Sequence, residues 1–175
     1  MNKKTFKYET IGFIFVAILG TVNHFMFEWF NNMKIIGLFC PVNESIFEHL
    51  KLLFFPYLIW SIIEYFILEK PFNFFTSKII GVIFGNIFIT TFYYTYSGIM
   101  VNNYMFMDIL TFLLGILVAF VTSYLIMTNP KYKSNYTEVI SIIIFVIISL
   151  LFFLFTFYPP FIPFFKDITT NSYGI

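Results

Sequence analysis

Five long apolar stretches divide the chain, and they limit its possible folds more than any other feature. They cover about residues 8–27, 46–68, 79–96, 106–128 and 139–158. Each is close to the roughly 20 residues that a helix needs to cross the hydrocarbon core of a bilayer. A membrane β-barrel would alternate apolar and polar residues, whereas these stretches are continuously apolar. The sequence therefore predicts an all-α integral membrane bundle of five transmembrane helices.

The composition supports a multi-pass protein of the cell membrane whose first partner is the lipid bilayer. Charged residues make up 11% of the 175 residues and hydrophobic residues 59%, whereas soluble domains carry about 25% charged residues. A soluble fold of this size could not bury so much apolar surface, so we expect one transmembrane domain over residues 1–175. The net charge of +1 argues against a nucleic-acid partner. The single Cys40 excludes an internal disulfide.

The distribution of lysines predicts the orientation of the chain. With five spans, the segments on one side of the membrane hold Lys3, Lys4, Lys7, Lys70, Lys78, Lys131 and Lys133. The other side holds Lys34, Lys51 and Lys166. Because cytoplasmic segments carry the excess of positive charge, we expect a cytoplasmic N-terminus and a C-terminus outside.

Under this topology the polar residues that suggest chemistry collect at the outer face. They are His24, Glu28, Asn43, Glu44, Ser45, Glu48, His49, Lys51 and Asp108. Ionisable residues at a membrane entrance are costly unless partners satisfy them. Imidazole and carboxylate groups suit zinc or another divalent metal. We therefore treat His24, Glu28 and His49 as candidate metal ligands, and Glu44, Glu48 and His49 as candidate catalytic residues.

Helical spacing supports part of this hypothesis. His24 and Glu28 are four residues apart, as are Glu44 and Glu48, so each pair can share a helix face. A neighbouring carboxylate would orient an imidazole for metal binding or proton transfer. The sequence contains no His-Glu-x-x-His motif, so the spacing is not that of the zinc proteases which carry it.

Helix capping is the competing explanation for part of this segment. Ser45 and Glu48 have the spacing of a capping box, Asn43 could cap instead, and Lys51 lies three residues after Glu48. Capping does not account for His49. Glu64 lies near the cytoplasmic end of the second span, so we expect its carboxylate to extend to the membrane surface.

The last segment, residues 159–175, is rich in proline and phenylalanine. This composition predicts an extended tail that folds back over the outer face, either as a lid on the polar cluster or as an interfacial anchor.

The stretch from Pro41 to Lys51, Pro-Val-Asn-Glu-Ser-Ile-Phe-Glu-His-Leu-Lys, resembles a segment of an uncharacterised family of small bacterial multi-pass membrane proteins, a domain of unknown function. The resemblance extends to His24, to Glu28-Trp29 and to a tail ending in Tyr173-Gly174-Ile175. It implies that these segments belong together, but it implies no activity.

Two functional hypotheses of different classes follow. In the first, an outward-facing His/Glu pocket holds a divalent metal such as zinc and assists hydrolysis or group transfer on a lipid-like substrate. In the second, the protein is a non-enzymatic ligand-binding or accessory subunit, and the ionisable residues lock the first loop to the helix ends. Transport ranks third, because the sequence shows no pair of interrupted half-helices.

Overall fold

The computed structural model describes residues 3–69, 71, 73–100, 104–129 and 135–175, and these are almost entirely helical. The elements are α1 Lys3–Trp29, α2 Lys34–Gly37, α3 Ile46–Ile67, α4 Phe74–Met100, α5 Met105–Met127, α6 Asn135–Phe157 and a 3₁₀ helix at Pro163–Phe165. All except α2 and the 3₁₀ helix are long and apolar enough to cross a membrane. The structure thus confirms the predicted all-α bundle of five such helices, and no β-strand occurs in the described ranges.

Helix α3 lies at the centre of the bundle. It packs against α1, α4, α5, α6 and the 3₁₀ helix, and Leu53, Phe54 and Tyr57 are completely buried on it. Helix α6, by contrast, exposes large apolar side chains such as Leu150 and Leu154. A bilayer would cover these exposed side chains. The innermost helix is therefore also the one that carries Glu48, His49 and Lys51.

Helices α4 and α5 approach each other through small residues. A Cβ atom added at Gly81 would lie 2.5 Å from the carbonyl oxygen of Ala119, and one added at Gly85 would lie 2.7 Å from that of Gly115. Small residues at such positions let two membrane helices bring their backbones into contact. The α4–α5 pair therefore depends on the absence of side chains here.

We expect Gly81→Ala to lower the free energy of unfolding by about 1–3 kcal/mol, because the added methyl group meets a backbone oxygen that cannot rotate away. Gly98→Ala in the same helix is the matched control, since nothing lies within 4 Å of its Cβ position. That change should leave stability unchanged or raise it by up to about 1 kcal/mol. Unfolding midpoints in detergent would compare the two, and equal midpoints would contradict this account of the α4–α5 contact.

The bundle has two polar ends. We call the end with His24, Glu44 and His49 the histidine end, and the end with Glu9, Glu64 and Lys78 the lysine end.

Which end faces the cytoplasm stays a prediction. Lys51 and Lys78 are completely buried in the bundle, so neither is a free loop charge. Without these two lysines, the side of the N-terminus holds six lysines instead of seven and the other side two instead of three. The count therefore still predicts a cytoplasmic N-terminus. Lys70, Lys131 and Lys133, which contribute to that count, lie outside the described residues.

Candidate metal site

The first loop returns the chain from α1 to α3 at the histidine end. Asn31 and Asn32 have φ angles of 51° and 57°, in the left-handed region that asparagine tolerates better than most residues. The Asn32 amide donates to the Phe27 carbonyl over 2.9 Å, which closes the end of α1. The reversal places the segment before α3, including Glu44, close to the end of α1.

Helix α3 begins with a defined cap. The Glu48 amide donates to the Ser45 hydroxyl over 3.3 Å, and the Ser45 amide donates to the Asn43 side-chain oxygen over 3.0 Å. Ser45 is the N-cap residue of the helix. The cap sets the first turn, and His49 follows it one turn into α3.

Three side chains from separate parts of the chain converge at this point: His24 of α1, Glu44 of the loop and His49 of α3. One ligand atom from each lies within 4.8 Å of the other two. The His49 Nε2 and Glu44 Oε2 atoms are 3.4 Å apart, and the two imidazole ring centres are 5.3 Å apart. We call these three residues the His/Glu cluster.

The backbone orients the His49 ring. Its Nδ1 atom lies 2.9 Å from the Ser45 carbonyl oxygen, which can only accept a hydrogen bond, so Nδ1 carries the proton. In the protonated imidazole, Nε2 donates to Glu44. In the neutral imidazole, Nε2 presents a lone pair at the same place. A histidine held through its other nitrogen by a carbonyl group is typical of metal ligands.

Glu44 is charged and partly exposed to solvent, and both properties suit a residue that binds a metal ion from solution. The hydrogen bond with His49 holds the pKa of Glu44 below its usual range, although partial burial opposes this effect. The carboxylate is therefore ionised at neutral pH. The Glu44 and His49 side chains are 46% and 30% exposed, so the His/Glu cluster is open to solvent.

Glu48 lies apart from the His/Glu cluster in a buried polar network. Its carboxylate accepts from the Lys51 ammonium over 2.6 Å, the Val42 amide over 3.0 Å and the Thr156 hydroxyl over 3.1 Å. Lys51 donates in addition to the Gly37 carbonyl over 2.8 Å and to Thr156 over 2.5 Å. The Glu48 carboxylate does not reach back to the Ser45 amide as in a full capping box. These contacts give Glu48 a structural environment, which weakens the hypothesis of a catalytic role.

Glu28 is exposed on the last turn of α1 and is not one of the three converging residues. Within the described residues, Glu44 and not Glu28 lies with the two histidines. Asp108 of α5 accepts a hydrogen bond from the Tyr96 hydroxyl and lies near enough to His49 to interact with it electrostatically. Asp108 therefore lies near the site but is not one of the three residues whose ligand atoms converge.

Cys40 is no part of the site. Its side chain is 2% exposed, and burial raises the pKa of its thiol to about 11. At neutral pH the residue is a thiol and therefore neither a nucleophile nor a ready ligand.

The tail packs against the first loop at the histidine end. The Asn43 side chain donates to the Gly174 carbonyl over 3.1 Å, and the Ile175 amide donates to the Thr156 carbonyl over 3.2 Å. Gly174 has a φ angle of +68°, and a Cβ atom there would lie 2.9 Å from the Thr156 oxygen. Only glycine meets both conditions without strain.

A tight turn in the tail is organised by Asp167. Its carboxylate accepts from the Thr169 amide and hydroxyl, each over 2.7 Å, and from the Thr170 amide over 3.2 Å. Burial disfavours the charged form, but these hydrogen bonds outweigh it and lower the pKa of Asp167 to about 2. Asp167 is also near enough to Glu44 to interact with it electrostatically.

A cavity of about 350 Å³ opens between the tail, the end of α4 and the start of α3. Its walls are Ile46, Tyr93, Tyr94, Ser97, Pro163, Lys166, Asp167, Ile168 and Asn171. Its volume falls at the lower end of the range for small-molecule sites. Ile46 follows the cap of α3 directly, and His49 lies three residues further along the same helix, although none of the three residues of the His/Glu cluster is among those that line the cavity.

Comparison with known proteins places the chain in a family. Over residues 1–175 it matches the family described as "Family of unknown function (DUF6512)". No curated protein and no solved structure matches it. The chain belongs to DUF6512.

Proposed function

We propose that this member of DUF6512 binds a divalent transition metal, zinc by its donor set, through His24, Glu44 and His49. The observation that carries the proposal is the convergence of their three ligand atoms within 4.8 Å. Two nitrogens and one oxygen leave one position free in a tetrahedral site. Catalytic zinc sites have this composition, with water in the fourth position.

The spacing of the ligand atoms fits such an ion. Zinc binds imidazole nitrogen and carboxylate oxygen at about 2.0–2.1 Å, so two ligands at the tetrahedral angle are about 3.3 Å apart. The His49 Nε2 to Glu44 Oε2 distance is 3.4 Å. A bound ion would require His24 to approach the other two ligands by at most about 1.5 Å, which a small side-chain rotation supplies.

The reaction class we propose is hydrolysis or group transfer on a lipid-like substrate. A zinc ion lowers the pKa of its bound water to about 7 and polarises a carbonyl or phosphoryl oxygen. The adjacent cavity combines Ile46, Tyr93 and Tyr94 with the ammonium of Lys166. It offers apolar contacts for part of a lipid and, through Lys166 and Asp167, one charge of each sign for a headgroup. The lysine count supports an outward-facing site in the cell membrane.

A non-enzymatic role is the second candidate, and the buried network around Glu48 favours it. Lys51 and Glu48 tie the loop at Gly37 and Val42 to Thr156 of α6. In this function the Glu44–His49 contact is a further link of the same kind, and the pocket binds a ligand or partner without turnover.

Elemental analysis of the protein purified in mild detergent tests the first proposal. We expect about one zinc, iron or manganese ion per chain, and none in a His24→Ala/His49→Ala variant that still unfolds cooperatively. Glu69→Gln changes an exposed acid at the lysine end and should keep the metal. A metal-free wild type that also fails to take up added zinc would contradict the metal site and leave the structural role.

A catalytic role requires a separate test of turnover. Zinc-loaded wild type should hydrolyse or transfer lipid ester or phosphoester groups, and a chelator should stop turnover. A stoichiometric metal without turnover would favour the non-enzymatic role.

A further inference from the structure

A second group of ionisable residues lies buried at the lysine end. The Lys78 ammonium of α4 is 3.0 Å from Oε1 of Glu9 on α1 and 2.6 Å from Oε2 of Glu64 on α3. Lys78 and Glu64 are completely buried, and Glu9 is 4% exposed. The expectation that Glu64 extends to the membrane surface is therefore wrong, because Lys78 binds its carboxylate inside the bundle. We call these three residues the buried Glu/Lys group.

The charges of this group do not balance. Two carboxylates face one ammonium, and the aromatic rings around Lys78 belong to Tyr57, Phe74 and Phe120 at 5.3–5.5 Å. Helix α5 contributes the Ser123 hydroxyl, which donates to Glu9 over 2.9 Å and brings no charge. Two carboxylates that share a buried site with one ammonium do not both ionise readily, because burial disfavours the second negative charge.

The carboxylate oxygens of this group are only partly satisfied. Glu9 Oε2 and both Glu64 oxygens are buried and have no hydrogen-bond partner within the described residues, and Glu64 contacts Lys78 through the 2.6 Å ion pair. The Tyr57 hydroxyl is buried as well, and it lies near enough to both carboxylates to interact with them electrostatically. Unpaired buried oxygens are costly. Protonation of one carboxylate would remove the excess charge and create a donor for the free acceptors.

We propose that Glu9 and Glu64 share one bound proton at neutral pH, with Lys78 balancing the remaining carboxylate. The group thus forms an intramembrane proton-binding site, separate from the His/Glu cluster at the opposite end of the bundle. In the part of the chain that the structure describes, the titratable groups that face it are Glu9 from α1, Glu64 and Tyr57 from α3, and Lys78 from α4. Intramembrane carboxyl groups of this kind serve proton relays in membrane proteins.

Infrared spectroscopy of the purified protein tests the proposal without any reagent that must enter the bundle. A carboxylic acid has a C=O stretching band that a carboxylate lacks, and ¹³C-labelled glutamate shifts that band. We expect the wild type at pH 7 to show one such glutamic acid band, at equal strength in sodium and choline salts. The His24→Ala/His49→Ala variant should keep it, which separates this test from that of the metal site.

Single substitutions provide the decisive comparison. In Glu64→Gln, the Lys78 ammonium balances only the Glu9 carboxylate. Glu9 should therefore be ionised, and the acid band should disappear. Glu9→Gln should remove the band in the same way, although Glu64 is still present. Loss of the band in both variants, with melting temperatures near that of the wild type, is the expected result.

Three results would overturn the proposal. The wild type could lack the band, one of the single variants could keep it, or sodium could abolish it where choline does not. The last result would assign the site to a sodium ion instead of a proton.

Discussion

Replacing Lys51 with methionine should lower the free energy of unfolding by about 3–5 kcal/mol, the range for removing one partner of a buried ion pair. Lys51 is completely buried, and its ammonium lies 2.6 Å from Glu48. The substitution leaves the Glu48 carboxylate without a counter-charge in the interior. It also removes the donor to Gly37 that holds the first loop. Unfolding in mixed micelles, followed by tryptophan fluorescence, would measure the loss.

Two variants make this prediction specific. Lys34→Met removes an exposed lysine from α2 and should change stability by less than about 0.5 kcal/mol. Glu48→Gln/Lys51→Met removes both charges while keeping groups that can bond Val42 and Thr156, so it should recover most of the loss. A double variant as unstable as Lys51→Met alone would show that charge compensation is not the cause.

The second large effect concerns zinc affinity. Glu44→Gln should weaken zinc binding more than about 100-fold, because loss of an outer-shell partner alone typically costs 10–100-fold. Glu44 supplies the only carboxylate of the His/Glu cluster, and an uncharged amide oxygen is a poor substitute. Competition with a chromogenic chelator at fixed pH would give the dissociation constants.

Glu28→Gln is the matched control, since Glu28 lies one turn from His24 but outside the His/Glu cluster. Its zinc affinity should equal that of the wild type. If Glu28→Gln weakened zinc binding and Glu44→Gln did not, the ligands would be His24, Glu28 and His49, as helical spacing suggests. The first loop would then adopt a different conformation when the metal is bound.

The helices could be predicted from the sequence because lipid contact requires long apolar runs, but their ends could not. The run at 79–96 marks α4, which extends over Phe74–Met100. Its first turn is stabilised by Glu138 of α6, which accepts from the amides of Phe75 and Thr76 over 2.9 and 3.1 Å. A cap from a residue more than 60 positions away leaves no local pattern.

The site could be anticipated only in part. The proximity of His24 and His49 follows from their equal depth in antiparallel helices. The position of Glu44 beside them does not, because it depends on the left-handed Asn31 and Asn32 that return the loop. The burial of Glu64 had no local signal either, since Lys78 belongs to the next helix.

The buried network around Glu48 also bears on the order in which the helices enter the membrane. Thr156 lies 105 positions after Lys51, so α3 emerges from the ribosome long before α6 can contribute its hydroxyl. Glu48 and Lys51 are three residues apart on one face of α3 and can neutralise each other within that helix. Glu64 has no such neighbour and depends on Lys78. We therefore expect the charges in the first half of α3 to balance each other as soon as that helix forms, whereas Lys78 can approach Glu64 only after α4 has joined the bundle.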